Sequence, residues 1–552
     1  MIDQAGFYEY LTQSLTPLAH RESSGDAHGS GISTWYNTPG ATVAAARSTA
    51  LYGSGVTAQT SPEIRHAEWG RRRLPDGPTP DEDTLFQACS ISKAFQSLAI
   101  LHFYSEGIIK SLDEPVRSNL GKAGYDILLQ NAVTRGVPED VAAQLLDRVT
   151  ITQLLSHTAG TTASGFPGYA PQSDHVTTSA EVLQGGLGDG NSPPVYVHGI
   201  PGLQRQYSGG GSTVLQAMLE NIAREHGFPS YALLMKEKVL EPLGMARSFY
   251  CDAAPLPQSE ANYATAYQNG ARALEDRQDF HVYPEQGAAG LWTTSLDLVK
   301  GLLGVAHTAL GTPSAVKLDG KTWIKPGIAQ EIFKKRPDLA HQDQGDAYFC
   351  GFQVEFLGGE DRVPGDEELV RISHAGGNEG YVCWHAASFP LPSTAEAGDE
   401  VVIHAMSCMT NSNYGGEICG PMICAISEML DSALGAGPAD GPFSDNAPFV
   451  APDPRPSAPR AGWAAYEGRW KINNRAQTLE ITTGPGPCAR VEFSHLKGVV
   501  LPLVGCASRK SGGMLRLRVS SLNATVDFGT KGGEGEVSLS LCTGGARLEC
   551  SR

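Results

Sequence analysis

The chain has 552 residues, 41% of them apolar and 18% charged, the composition of a globular protein long enough to bury a sizeable core without metal or disulfide staples. Lys and Arg number 42 against 59 Asp and Glu, a net charge of −17. That field repels phosphate backbones and anionic lipid surfaces, which excludes nucleic acid and membrane as first-choice partners.

The N-terminus, Met-Ile-Asp-Gln-Ala-Gly-Phe-Tyr-Glu-Tyr, shows no basic start and no apolar run of signal-peptide length. No uninterrupted apolar run is long enough to span a bilayer. The 11 cysteines are an odd number scattered from Cys89 to Cys550, which fits reduced thiols. The expectation is a cytoplasmic protein.

In chain order, Pro39–Arg47 and Thr84–Cys89 read as strands. Ala94–Glu106 carries a helical apolar pattern (Phe95, Leu98, Ala99, Leu101, Phe103), and Gly107 suits its C-terminal cap. Further helices are predicted at Thr213–His226, Tyr231–Leu240 and Ser295–Ala306. Gly380–Ser388 and Val401–Ser407 read as paired strands, and Glu417–Leu434 as a helix closing the first domain. Strands at both ends with helices between predict a mixed α/β domain over 1–434 whose sheet joins the two ends. Seven prolines within Gly435–Arg460 predict an extended linker over 435–460. Beyond it, short alternating runs (Leu479–Ile481, Arg490–Phe493, Leu515–Val519, Glu536–Leu541) separated by Gly- and Pro-rich turns predict a small antiparallel β domain over 461–552. From Trp463 onward 12 basic and 7 acidic residues give +5, which leaves −22 for the rest.

Several chemistries fail on spacing. No two of the 15 histidines are two or four residues apart, so H-x-H and H-E-x-x-H zinc sites are absent. Gly320-Lys321-Thr322 lacks the first glycine of a P-loop, because that position is Ala315. No G-x-S-x-G elbow occurs, and Gly209-Gly210-Gly211 lacks the later glycine of a dinucleotide loop. Neither a metal nor a cofactor is therefore expected.

What remains is S-x-x-K, present three times: Ser90–Lys93, Ser314–Lys317 and Ser494–Lys497. A serine hydroxyl is a weak nucleophile until a base takes its proton. Three residues along a helix places a lysine amine beside that hydroxyl, and a helix N-terminus favours a developing anion. Only Ser90 stands where a strand gives way to an apolar helix. A bare N-cap serine followed by a solvated lysine would carry the same letters. Two distant segments add weight. Gln206-Tyr207-Ser208-Gly209-Gly210-Gly211 places a tyrosine, a possible third titrating group, in a glycine-rich turn before a helix. Ser373-His374-Ala375-Gly376-Gly377-Asn378 allows close backbone approach to a ligand ahead of a strand. A surface turn and a hairpin turn are the plain alternatives for these two.

Ser-x-x-Lys, then Tyr-Ser-Gly, then His-Ala-Gly-Gly, in this order, resembles the serine β-lactamase and penicillin-binding-protein superfamily, and within it the β-lactamase-related esterases, D-aminopeptidases and transesterases. Leu154–Gly160, Glu241–Met245 and Ala288–Ser295 share that flavour, and the resemblance covers residues 36–430. It implies a β-lactamase-like fold: an antiparallel sheet flanked by helices, plus an all-helical lobe. The trailing β domain is similar to the lipocalin-like appendage of some members. It further implies Ser90 as the acylated nucleophile, Lys93 as the group that holds or takes its proton, and Tyr207 as the acid/base toward the leaving group. The amides of Ser90 and Gly377 would form the oxyanion hole, and His374, Gly376 and Gly209 would contact substrate. Two departures stand out: His374 replaces the lysine of Lys-Thr-Gly, and Gly209 replaces an asparagine. Both fit esters or D-amino-acid amides better than β-lactams. The expected activity is hydrolysis of esters or amides of a small metabolite or short peptide. An acyltransferase or cyclase and a non-catalytic binding module stay open at this point, and Thr161–Gly202 is expected to shape the pocket.

Overall fold

The computed structural model describes residues 3–15, 38–52, 61–137, 139–171, 177–186, 193–198, 201, 205–252, 256, 260–269, 272–274, 279–334, 347–357, 369–391, 398–431, 466–472, 478–482, 490–493, 500–509, 515–519, 524–531, 536–543 and 546–552. The proline-rich stretch predicted as a linker lies outside the described residues.

Helix α1 spans Gln4–Leu15, followed by strands β1 (Gly40–Leu51) and β2 (Glu63–Gly70). The longer helices that follow are α2 (Ser92–Ser105), α3 (Arg117–Thr134), α4 (Gly209–Glu225) and α5 (Ser295–Leu310). Strands β3 (Ala347–Phe349), β4 (Phe352–Leu357), β5 (Leu369–Asn378), β6 (Tyr381–Pro390) and β7 (Glu400–Thr410) follow, then α6 (Gly416–Asp431). They form one seven-stranded sheet of order β2-β1-β7-β6-β5-β4-β3. Its pairings are antiparallel. β1 pairs with β7 over Ala41↔Thr410 to Leu51↔Glu400, so the sheet does join the two ends of the domain.

β1 is apolar on both faces, and period two sorts its side chains between two cores. From β1, Ala44, Ala46 and Ala50 enter the larger core. Ala41, Val43 and Ala45 enter a smaller one with Phe7 and Leu11 of α1 and Ile418, Met422 and Ile426 of α6. Terminal helices thus cover one face, while α5, which packs against β1, β6 and β7, covers the other. This is why β1 reads as a nearly unbroken apolar run rather than a clean alternation.

α5 shows how local rules fix an element. The Thr294 hydroxyl caps it by accepting from Asp297 N at 3.1 Å, and Gly311 at φ +61° ends it. The predicted helix at 231–240 divides into an α-helical turn, Tyr231–Met235, and a π-helical turn, Lys236–Leu240. Both α3 and a short helix, Glu139–Leu146, are absent from the sequence reading. α3 contains a non-helical glycine, Gly121 at φ +75°, and has little apolar periodicity, so no stripe announced it.

Beyond Tyr466, eight strands from Gly468–Ile472 to Ala546–Ser551 close into a barrel. All four runs singled out in the sequence fall in these strands. Closure removes the exposed edges that short strands would otherwise leave.

Candidate active site

Cys89 adopts φ +51°, an unfavourable backbone for a non-glycine residue, and turns the chain from the short strand Phe86–Gln87 into the 3₁₀ turn Cys89–Ile91 and then α2. That turn leaves Ser90 half-buried at the head of the helix. Several bonds hold the bend. Ser92 Oγ donates to Cys89 O at 2.6 Å and accepts from Leu291 N at 3.0 Å, Ala88 N donates to Leu291 O at 2.8 Å, and Cys383 Sγ donates to Ala88 O at 2.9 Å. Lys93 sits on the first turn of α2, only 4% exposed. Its Nζ donates to Ser90 Oγ at 3.0 Å and to Ala288 O at 2.8 Å. The i, i+3 spacing has become a hydrogen bond.

The second motif arrives from the other side. Ser208 caps α4 by accepting from Gly211 N at 2.8 Å, and its own hydroxyl donates to Thr162 O at 2.8 Å. The three glycines, read from sequence as a turn, are the first turn of α4 itself. They are small because the wall is close: a Cβ on Gly210 would stand 2.5 Å from Thr162 O, and one on Gly209 3.1 Å from the Phe166 ring. The cap holds Tyr207 half-buried, with Lys93 Nζ 5.0 Å from its ring centroid.

The third motif is strand rather than turn. Ser373 to Asn378 completes β5, and the bend falls at Glu379-Gly380. Asn378 and Tyr381 flank that two-residue bend, so they form a hydrogen-bonded pair. Alternation then makes Gly377↔Val382 a non-hydrogen-bonded pair, and the Gly377 N–H points away from β6. β4 covers β5 only as far as Gln353↔Ser373, so no strand takes that N–H. Gly377 is exposed, with nothing within 4 Å of a built Cβ. Gly376 is buried: a Cβ there would meet Ala88 O at 2.7 Å and Cys89 Cβ at 2.8 Å. Its missing side chain lets β5 press on the bend that carries Ser90.

His374 lies in this wall, its Nε2 3.1 Å from the Tyr348 hydroxyl. Burial, with Lys93 and Arg205 nearby, pushes its pKa down to about 3, so it is neutral at physiological pH. It therefore presents an uncharged ring where Lys-Thr-Gly would place a cation. His385, opposite it on β6, is stacked on Phe352 with ring centroids 5.7 Å apart, and neither ring nitrogen has a hydrogen-bond partner. Burial holds His385 at about 3 and, on α5, His307 at about 4.

These buried histidines make stability depend on acid. Their folded pKa values lie below the unfolded 6.5, so their contribution is complete above pH 6.5 and is lost as pH falls toward 4. Glu285, held at about 8, works in the opposite direction below that pH. His385→Phe removes one histidine without leaving a hole. Urea titrations should show the wild type losing stability relative to this variant by about 1 kcal/mol per pH unit below 6.5. Parallel curves would show that His385 is protonated in the folded protein.

Four residues of this site carry no assigned role in the sequence reading. His157, at φ +58° just after the short helix Ile151–Leu155, accepts from Ser208 N at 3.3 Å, and its ring centroid lies 4.4 Å from that of Tyr207. Leu154–Gly160 was the signal for it. Tyr348, on β3, stands 4.7 Å from the His157 ring, and the Arg205 guanidinium lies 5.0 Å from the centre of the Tyr348 ring. Neither Tyr348 nor Arg205 belongs to a motif. Glu285 precedes the short helix Gln286–Ala289 that supplies Ala288 O to Lys93. Of the other S-x-x-K copies, Ser314 lies in a loop before the two-residue strand Lys317–Leu318, and Ser494 lies outside the described residues.

A sheet between two helical layers, with a serine–lysine pair at the head of a helix beneath it, defines a serine hydrolase with a β-lactamase-like fold. Residues 33–343 match the Beta-lactamase family, and the chain belongs to that family. Among solved structures it is similar to the octameric penicillin-binding protein homologue from Pyrococcus abyssi, with 17% identity, 99% of this chain and 100% of that one covered, and a TM-score of 0.48. SurE (18% identity, 99% and 100% covered, TM-score 0.47) and a class C beta-lactamase (18%, 76% and 97%, 0.45) are similar too. No curated protein matches the chain. Among the described residues, no helix is long and apolar enough to cross a membrane.

Proposed function

We propose that the protein hydrolyses esters or amides of a small metabolite or short peptide through an acyl-enzyme on Ser90. The observation that carries this reading is the 3.0 Å hydrogen bond between Lys93 Nζ and Ser90 Oγ at the head of α2. As the Oγ–acyl bond forms, the Ser90 proton passes to a neutral Lys93 amine. Ala288 O anchors that amine, and burial keeps water from competing for it. The carbonyl electrons move onto an oxygen facing the amides of Ser90 and Gly377. Tyr207, whose ring faces Lys93, passes a proton to the leaving group, and water then releases the acyl group by the reverse route. His374 and Gly209 border the space where substrate would lie, and Gly376 backs it. The neutrality of His374 suits an uncharged group at that position. Cytoplasmic residence is supported by the free thiols of Cys89, Cys383, Cys408 and Cys419.

The test is intact mass after mixing with an activated short-chain ester, with Ser90→Ala alongside. A transient acyl adduct on the wild type alone is the expected result, and added alcohols or amines should not divert it into new products. Diversion would make the protein an acyltransferase. No adduct together with no turnover would leave a binding module.

A further inference from the structure

Two unfavourable features meet at one residue beside the reacting groups. His157 adopts φ +58°, a left-handed backbone that bulky residues avoid, and its Nε2 is buried with no hydrogen-bond partner. The end of the short helix Ile151–Leu155 enforces the bend: His157 N donates to Leu154 O at 3.3 Å and Thr158 N to Gln153 O at 2.8 Å. Such outliers persist only where the surroundings over-determine them, and they cluster at functional sites. Three contacts of His157 run to three successive residues. Its carbonyl accepts from Gln206 N at 2.8 Å, its Nδ1 accepts from Ser208 N at 3.3 Å, and its ring centroid stands 4.4 Å from that of Tyr207, the residue between them. Tyr348 completes a cluster of three rings, 4.7 Å from the imidazole and 6.2 Å from Tyr207. Burial pushes the His157 pKa well below 6.5, so the ring is neutral, and the bond from Ser208 N places its one proton on Nε2. Among the described residues no hydrogen bond fixes the Tyr207 hydroxyl, so its direction is set by ring packing and by the backbone on either side.

We propose that His157 is a positioning residue that acts through Tyr207: its carbonyl and Nδ1 pin the backbone on both sides of the tyrosine, and its ring fixes the direction in which the phenol faces Lys93 and the leaving group. This rests on the reading of Tyr207 as the donor to the leaving group. In that step the Tyr207 O–H bond breaks and its proton goes to the leaving oxygen or nitrogen, which takes the electron pair of its bond to the acyl carbon. The phenolate then regains a proton from the Lys93 ammonium that attack by Ser90 has produced. Proton transfer falls off steeply with misplacement of the donor. An aligned phenol therefore matters most for a strongly basic leaving group. A leaving group that departs as a stable anion needs no such donor.

The test uses His157→Asn and two esters of one acid, with a nitrophenyl and an ethyl leaving group. Asparagine tolerates a left-handed backbone and offers an amide oxygen to Ser208 N, so the variant loses the ring and keeps the bend. It should lower kcat/KM, which reports acylation, by about 10²-fold for the ethyl ester and by less than about threefold for the nitrophenyl ester. Tyr207→Phe should show the same selectivity, and the double variant should be no slower than Tyr207→Phe alone. An equal fall for both esters, or losses that multiply in the double variant, would reduce His157 to a structural role and overturn the proposal. If Tyr207→Phe itself treats both esters alike, the reading of Tyr207 fails, and a second measurement decides on His157 separately. In the full chain carrying ring-13C tyrosine, the Tyr207 signal, assigned by its loss in Tyr207→Phe, should move in His157→Asn, and its ring should flip faster. An unmoved Tyr207 signal would overturn the proposal whatever the kinetics. If His157→Asn does not fold, Tyr348→Leu, which removes the third ring of the cluster, replaces it in both measurements with the same expected results.

Discussion

Ser90→Ala should lower ester turnover by at least about 10³-fold and abolish the acyl adduct, while its unfolding midpoint stays near that of the wild type. The half-buried hydroxyl has little packing to lose, so the effect falls on chemistry. Lys93→Ala should be nearly as severe, and the double variant no worse than either alone, because the pair acts as one unit. Additive losses in that cycle would mean that Lys93 works separately from Ser90, for instance by anchoring the Ala288 turn alone. Lys93→Ala also removes an amine that satisfies Ala288 O, so its stability must be measured beside its rate.

Gly351→Ala should be the most damaging single-methyl change in the sheet. Cys350 at φ +53° and Gly351 at φ +76° form the two-residue bend between β3 and β4, with Phe349 paired to Phe352. A Cβ on Gly351 would lie 2.3 Å from Ala94 N and 2.5 Å from the Lys93 carbonyl carbon. Both are backbone atoms, so no rotamer change relieves the clash; either α2 or the hairpin must shift. The hairpin also carries Tyr348 into the site, where its hydroxyl meets His374. A loss of about 2–4 kcal/mol in urea unfolding, together with slower acylation, is expected. Gly107→Ala is the control. It shares φ +75°, but nothing lies within 4 Å of the new methyl, so only backbone strain of about 1 kcal/mol remains. Equal losses in the two variants would show that the bend does not press on α2.

Spacing and patterning along the chain determined a good deal. Ser90–Lys93 stood out because a helix makes i, i+3 neighbours automatically, and the apolar run after it announced the helix. Strands β1, β6 and β7 and four of the eight barrel strands were legible from local apolar pattern, and β1, β6 and β7 each bury at least one face along most of their length. Other features exist only through contacts made far along the chain. The His-Ala-Gly-Gly segment reads as a turn because glycine is a turn residue locally, yet it is strand. Gly376 is small to admit the bend at Ala88 and Cys89, and Gly377 is exposed where β4 stops. The charge of His374 was likewise undecidable, because a histidine's pKa is set by what surrounds it, and burial beside Lys93 makes it neutral. Tyr348, Arg205 and Glu285 carry no motif, for their places beside the site come from a hairpin, a ring face and a buried turn that meet only after folding. The sequence by itself therefore named the serine–lysine pair, whose geometry one helical turn enforces. The tertiary structure alone decided the charge and walls of the site, because desolvation and close approach depend on residues hundreds of positions away.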